Sequence, residues 1–269
     1  RMRCLVTGSA GFVGSRIFRR LRELGHETVG VDPVISTTTT RKGLASAECG
    51  GESFESVWHL AANADVSSNE RDPIGAWKAN VLETLHIIER IGVKKAFVFA
   101  NSVAADEPGA NIYGYTKAAC EWLLKHYKTG DGRPLPLVNC TLPNIFGVGG
   151  DGVVSRFLFM KEPVIFGDGS SVREFAYIDD VVDWLVSLGL GAKLGDHVLG
   201  GDRKSINDVA RTVGRELQHA PPRDYELKIS PVLKATFRGP TTLEEGIQKM
   251  VGEADEAGLR HWYGGRSSI

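Results

Sequence analysis

The chain has 269 residues, enough for one large α/β domain or for a nucleotide-sized domain with a smaller lobe. A net charge of -1 and a pI near 6.7 provide no global basic field to gather nucleic acid. The apolar runs are broken by charge or glycine well short of a membrane-spanning length. No basic stretch leading into an apolar one opens the chain, so a cytoplasmic protein is expected. Cys4, Cys49, Cys120 and Cys140 lie far apart, with no Cys-x-x-Cys pair. They read as buried free thiols, and no metal is expected.

In chain order, the first unit is the most informative. Cys4-Leu5-Val6 leads into Thr7-Gly8-Ser9-Ala10-Gly11-Phe12-Val13-Gly14, and a helical pattern of Ile17, Phe18, Leu21 and Leu24 closes at Gly25. A second strand, Thr28 to Val31, ends in Asp32, eighteen residues beyond Gly14. Gly8 is assigned the tight turn, Gly11 the close approach of a pyrophosphate and Gly14 close helix packing. The amides at Phe12 and Val13 open the helix toward the phosphates. Asp32 is suited to accept from adenosine ribose hydroxyls and would repel a 2′-phosphate, so NAD is expected rather than NADP.

Residues 33 to 53 are polar, glycine-rich and aperiodic and read as a mobile loop. Val57 to Leu60 is a buried strand, followed by Ala61-Ala62, small enough for a cofactor to lie against the backbone. Asp72-Pro73 starts a helix carrying Ile74, Trp77, Val81, Leu85 and Ile88 as far as Gly92. A strand over Ala96 to Ala100 runs to Asn101-Ser102, a helix spans about Tyr113 to Tyr127, and a strand follows over Leu137 to Leu142. Beyond Gly147 the alternation becomes irregular. A helix over Val153 to Met160, a strand at Val164 to Phe166 and a Gly167-Asp168-Gly169 turn are expected, then a strand over Glu174 to Ile178. Next come a helix begun by Asp179-Asp180 and ending near Gly189 or Gly191, a strand at His197 to Leu199, and a helix over Ser205 to Leu217 capped by Ser205 with Asp208. A last helix starts at Thr242 to Glu245. The expected fold class is α/β: a doubly wound parallel (Rossmann) sheet with a smaller C-terminal substrate-binding lobe. Residues 1–147, with 174–200 returning to them, would form the NAD-binding domain and 148–269 mainly the second lobe. Substrate is expected between the two, at the carboxyl ends of the strands.

Tyr113 and Lys117 stand four residues apart at a helix start and so share a face. Ser102 ends the preceding strand, at the same rim of a parallel sheet. A tyrosine with a pKa near 10 is a poor base at neutral pH. The ammonium of Lys117, with a cationic nicotinamide, is expected to bring it toward working range. Tyr113 would then take a proton from a sugar hydroxyl, with Ser102 holding the oxygen and Lys117 also available to the nicotinamide ribose.

These segments, together with His59-Leu60-Ala61-Ala62, Asn80-Val81, Pro143 to Gly147, Arg173 to Val181 and Thr242 to Gly246, resemble the extended short-chain dehydrogenases/reductases that act on nucleotide-activated sugars. The resemblance spans nearly the whole chain. It implies a nucleotide-diphosphate sugar as substrate and adds Leu60, Ala61, Ala62 and Asn80 to the NAD site. It also implies diphosphate contacts from Asn144, Arg173 and, on a shorter match, Arg223. It suggests a homodimer paired through the helices near 73–91 and 113–127, although Trp77 and Trp122 could equally be core residues. Similar 4,6-dehydratases carry an Asp-Glu pair after the catalytic hydroxyl residue, where this chain has Val103-Ala104. The expected activity is therefore transient oxidation at the sugar C4, as a 4-epimerase of UDP- or dTDP-hexoses. The alternatives are a dehydratase using Cys120 or Glu121 as acid/base, or a non-catalytic nucleotide-binding homologue.

Overall fold

The computed structural model describes residues 1–32, 51–223 and 234–256. Most of the stretch expected to be a loop over 33–53, with Cys49 in it, lies outside the described residues. The first unit forms as anticipated: β1 (Arg3–Thr7), α1 (Gly14–Glu23) and β2 (Glu27–Val31). Gly25, at φ 80°, ends the helix, its amide donating to Arg22 O at 2.9 Å.

After β3 (Ser53–His59) comes a helix that periodicity did not reveal, α2 (Val66–Arg71). Its sequence, Val-Ser-Ser-Asn-Glu-Arg, has no apolar stripe; it is held by its cap, Asp65, which accepts from Ser68 N at 3.2 Å. The long helix expected from Asp72-Pro73 is α3 (Pro73–Trp77) and α4 (Glu83–Arg90), joined by one π-helical turn over Lys78–Leu82. β4 (Gly92–Ser102) passes into a 3₁₀ turn over Val103–Asp106, and α5 (Ile112–His126) follows, capped by Asn111, whose Oδ1 accepts from Gly114 N at 2.8 Å. Next come β5 (Leu137–Leu142), β6 (Asn144–Phe146), α6 (Val153–Phe159), β7 (Val164–Phe166), β8 (Val172–Tyr177), α7 (Ile178–Leu190), β9 (Gly195–Gly200) and β10 (Asp202–Ser205). The chain continues through α8 (Ile206–Val213), β11 (Gln218–Ala220), β12 (Phe237–Arg238) and α9 (Leu243–Glu256). The expected α8 is shorter because Gly214, at φ 74°, caps it and 218–220 become a strand.

The chain divides into two compact units, 1–142 with 182–198 and 143–181 with 199–269. The first is built on a parallel sheet in the order β9-β5-β4-β3-β1-β2. Both of its faces are covered, as a parallel sheet requires. On one face Leu5, Val57, Phe97 and Phe99 pack with Ile87 and Ile88 of α4 and Cys120 and Leu124 of α5. On the other, Trp58 and Ser56 reach α7: Trp58 Nε1 donates to Leu185 O at 2.9 Å and Ser56 Oγ to Gly189 O at 3.0 Å. This is the doubly wound arrangement anticipated above, and it brings the carboxyl ends of β1, β3 and β4 to one rim.

In the second unit β8 runs parallel to β6 and antiparallel to β10, β7 pairs with β11, and Leu199 and Gly200 pair with β12. The expected capping box is present: Asp208 N donates to Ser205 Oγ at 3.0 Å and Ser205 N to Asp208 Oδ2 at 3.0 Å. α9 buries Leu243, Ile247, Met250 and Ala254.

Candidate active site

The glycine turn fits a dinucleotide. Gly8 sits at φ 70°, and a Cβ there would stand 2.8 Å from Ala61 N, so the turn and the segment after β3 are in backbone contact. A Cβ on Gly14 would lie 2.0 Å from Gly8 O, which is why the helix can begin so close to the strand. Gly11 N donates to Gly8 O at 3.0 Å. α1 has no side-chain cap, and among the described residues no group accepts from the amides of Phe12 or Val13. Two aligned donors at a helix start suit a pyrophosphate. Asp32 follows β2 and accepts from Ala10 N at 3.0 Å, which holds its carboxylate beside the turn. Leu60 and Ala61 are tied back to Thr7, their amides donating to Thr7 O and Thr7 Oγ1, each at 3.2 Å, and Ala62 follows them.

Asn80 lies in the π turn and is buried. Its Oδ1 accepts from Asn63 N at 2.7 Å, and its Nδ2 donates to Asn63 O at 3.2 Å and Thr116 Oγ1 at 2.9 Å. This side chain clamps the segment after β3 to α5.

α5 brings the expected three residues together. The Ser102 hydroxyl stands near enough to the Tyr113 phenol to favour its ionised form. Ser102 Oγ also accepts from Ala104 N at 3.2 Å, as the cap of the 3₁₀ turn. Lys117 is 4% exposed; its Nζ donates to Ala100 O at 2.7 Å and stands 4.8 Å from the Phe99 ring centroid and 5.9 Å from that of Tyr113. The expected lowering of the phenol pKa by Lys117 is not what these residues produce. Burial pushes Tyr113 up to about 12, with the Ser102 hydroxyl opposing and the Cys120 thiol adding to the rise. Lys117 is itself lowered by burial, to about 8.

The two other acid/base candidates are engaged elsewhere. Cys120 Sγ is buried and donates to Asn80 O at 3.2 Å, and burial raises its pKa. Glu121 accepts from Asn101 Nδ2 at 2.7 Å, Asn139 Nδ2 at 3.1 Å and Lys125 Nζ at 2.6 Å.

One positioning group was invisible in the sequence. Glu70 Oε1 accepts from Ile112 N at 2.6 Å, fixing the residue before Tyr113 from 42 positions away. The Asn111 cap was in principle legible, since it stands immediately before the helix.

In the second unit, Asn144 Nδ2 donates to Glu174 O at 3.2 Å, and Arg173 is half-buried on β8, opposite Lys204 of β10. Glu174, adjacent to Arg173, is buried and accepts from Gly201 N at 3.0 Å and Arg238 Nη1 at 3.5 Å. Arg223 lays its guanidinium over the Phe166 ring, 3.6 Å from its centroid.

Residues 4–191 match the model of the NAD dependent epimerase/dehydratase family. The chain belongs to that family. It is 31% identical to a UDP-glucose 4-epimerase of Mycolicibacterium smegmatis, over 81% of each chain. Among solved structures it is similar to the Thermotoga maritima UDP-glucose 4-epimerase with UDP-glucose, at 25% identity and a TM-score of 0.76, covering 95% of this chain and 99% of that one. It is also similar to MoeE5 in complex with UDP-glucose and NAD, at 26% identity and a TM-score of 0.78, covering 94% and 99%. As a member of the epimerase/dehydratase family the chain is an NAD-dependent nucleotide-sugar enzyme. The glycine turn, uncapped α1 and Asp32 are residues that could hold that NAD.

Proposed function

We propose that this family member is a 4-epimerase of a UDP- or dTDP-hexose, working through the Ser102, Tyr113 and Lys117 constellation. The observation that carries the reading is the buried Lys117 ammonium 5.9 Å from the centroid of the Tyr113 ring at the start of α5, with Ser102 ending β4 close to that phenol. Bound NAD supplies a hydride acceptor and, once reduced, a donor. The sugar 4-hydroxyl gives its proton to Tyr113 Oη while Ser102 Oγ donates to the same sugar oxygen, and the proton returns after the ketone has turned. Burial holds the phenol high and the Ser102 hydroxyl works against that rise; oxidised NAD, when bound, would supply the positive charge that favours the phenolate. Asn144, Arg173 and Arg223 are assigned to the nucleotide diphosphate, for which guanidinium groups are suited.

Dehydration is the weaker reading. It needs a second acid/base, and the Cys120 thiol faces Asn80 while the Glu121 carboxylate is bonded to Asn101, Asn139 and Lys125. Incubation with a panel of UDP- and dTDP-sugars tests this. Epimerisation leaves substrate mass unchanged, loss of one water marks a dehydratase, and bound NAD with no product from any sugar marks a binder. Tyr113→Phe is expected to abolish turnover with NAD affinity largely kept; undiminished turnover removes Tyr113 from the mechanism.

We assign a homodimer to the face carrying Ile74, Trp77, Tyr115 and Trp122, which are 69, 38, 56 and 62% exposed and so are not core. Sedimentation at micromolar concentration should give a dimer, and a monomer alone would overturn the assignment. Among the described residues no helix is long and apolar enough to cross a membrane.

A further inference from the structure

A buried histidine joins the dinucleotide turn to the helix beneath the catalytic residues. His59 ends β3 and is 1% exposed. Its Nδ1 lies 2.8 Å from Thr7 Oγ1 and its Nε2 lies 2.8 Å from Thr84 Oγ1. The hydroxyls decide which nitrogen bears the proton. Thr84 has a single hydroxyl proton and donates it to Asn80 O at 2.6 Å, so toward the ring it can only accept. Nε2 therefore carries the proton. At the other end Thr7 Oγ1 accepts from Ala61 N at 3.2 Å, which leaves its own proton for the bare Nδ1. Each hydrogen in the chain is used once, from Ala61 through Thr7, His59 and Thr84 to Asn80.

Both ends of that chain belong to the site. Ala61 is the residue against which Gly8 turns, and Asn80 holds Asn63 and Thr116. The ring also stacks on Phe99, with centroids 6.2 Å apart and planes 19° apart, and Lys117 Nζ rests on that same phenyl ring. A second ring proton would displace the hydroxyl proton of Thr7 and set a cation near that ammonium. Burial, and after it Lys117, accordingly hold the imidazole down at about 3.

We propose that His59, as a neutral Nε2–H tautomer, is a positioning residue that locks the glycine turn and the π turn under α5 into one register and so sets NAD affinity. The inference deepens the functional reading but is tested without it, by the ring spectrum and by NAD binding. In protein labelled with ¹⁵N-histidine, His59 should show a protonated Nε2 and a bare Nδ1, unchanged from pH 5 to 9. A protonated Nδ1, or a ring that titrates between pH 5 and 8, overturns the proposal. Thr84→Val should weaken NAD binding about tenfold, and Thr84→Ser, which restores the hydroxyl, should return it to within about twofold of the parent. Parental NAD affinity in Thr84→Val also overturns the proposal. Should the valine variant fail to fold, the parent spectrum and the serine variant still decide: a serine variant without NAD affinity counts against the hydroxyl link. Absence of any sugar product would count against the epimerase reading and leave both of these readouts standing.

Discussion

Replacing Lys117 by methionine should stabilise the protein at neutral pH while abolishing turnover. The ammonium is buried and, among the described residues, has no carboxylate partner; it donates to Ala100 O. Burial brings its pKa from 10.5 to about 8. At pH 7 the group is protonated in both the folded and unfolded chain. The gap, at roughly 1.4 kcal/mol per pH unit, is a cost to folding of about 3 kcal/mol. Methionine removes that cost but leaves the Ala100 carbonyl without its donor, a loss of roughly 1–2 kcal/mol. The net expected gain at pH 7 is about 1–2 kcal/mol. The pH dependence identifies the cause. Above about pH 8 the folded parent sheds the proton, whereas the unfolded chain keeps it until about 10.5, so the unfolded state binds more protons and parental stability rises with pH. By pH 9.5 the parent should recover about 2 kcal/mol, and the variant's advantage should vanish. The buried thiols of Cys4 and Cys140, raised by burial, lower stability at high pH in both proteins and cancel in the difference, whereas Cys120, raised by burial and held down by Lys117, rises further in the variant and works in the same direction as the expected loss of advantage. Urea unfolding of nucleotide-free parent and variant at pH 7 and 9.5 makes the comparison. A stability difference that stays constant across that interval would refute the assignment of a buried charge.

Gly114→Ala is expected to cost about 1–3 kcal/mol and to lower kcat about a hundredfold, because its Cβ would stand 2.3 Å from Ala104 O and push the start of α5 from the 3₁₀ turn that follows Ser102. Thermal melts and kcat measure the two effects, and parental kcat would show that the Ser102–Tyr113 spacing does not depend on this contact. Asp32→Ala should raise the Kd for NAD roughly tenfold to a hundredfold and narrow the preference over NADP, measured by titration calorimetry; unaltered NAD binding would remove Asp32 from the ribose site. Ser205→Ala should destabilise the chain by about 1 kcal/mol in urea through loss of the α8 capping box, leaving NAD affinity as it was.

What reads out of this sequence alone lies within a short stretch of chain. The Asp72-Pro73 start of α3, the Ser205 capping box and the shared face of Tyr113 and Lys117 each depend on neighbours no more than about a helical turn away, and the glycine turn and Asp32 on the order of pieces within one strand–turn–helix–strand unit. The doubly wound class follows from the order of such pieces. The tertiary structure decided the rest. Glu70 reaches Ile112 across 42 positions, Asn80 reaches Thr116 across 36 and His59 reaches Thr84 across 25, separations that parallel crossovers close and that no periodicity encodes. The direction of the Tyr113 shift belongs here too. Neighbour charge pointed downward, but burial is a property of the whole packed sheet and its covering helices, and it took the phenol the other way. Residue type set which groups could take part in the chemistry; packing set their protonation states and which backbone segments hold them in place.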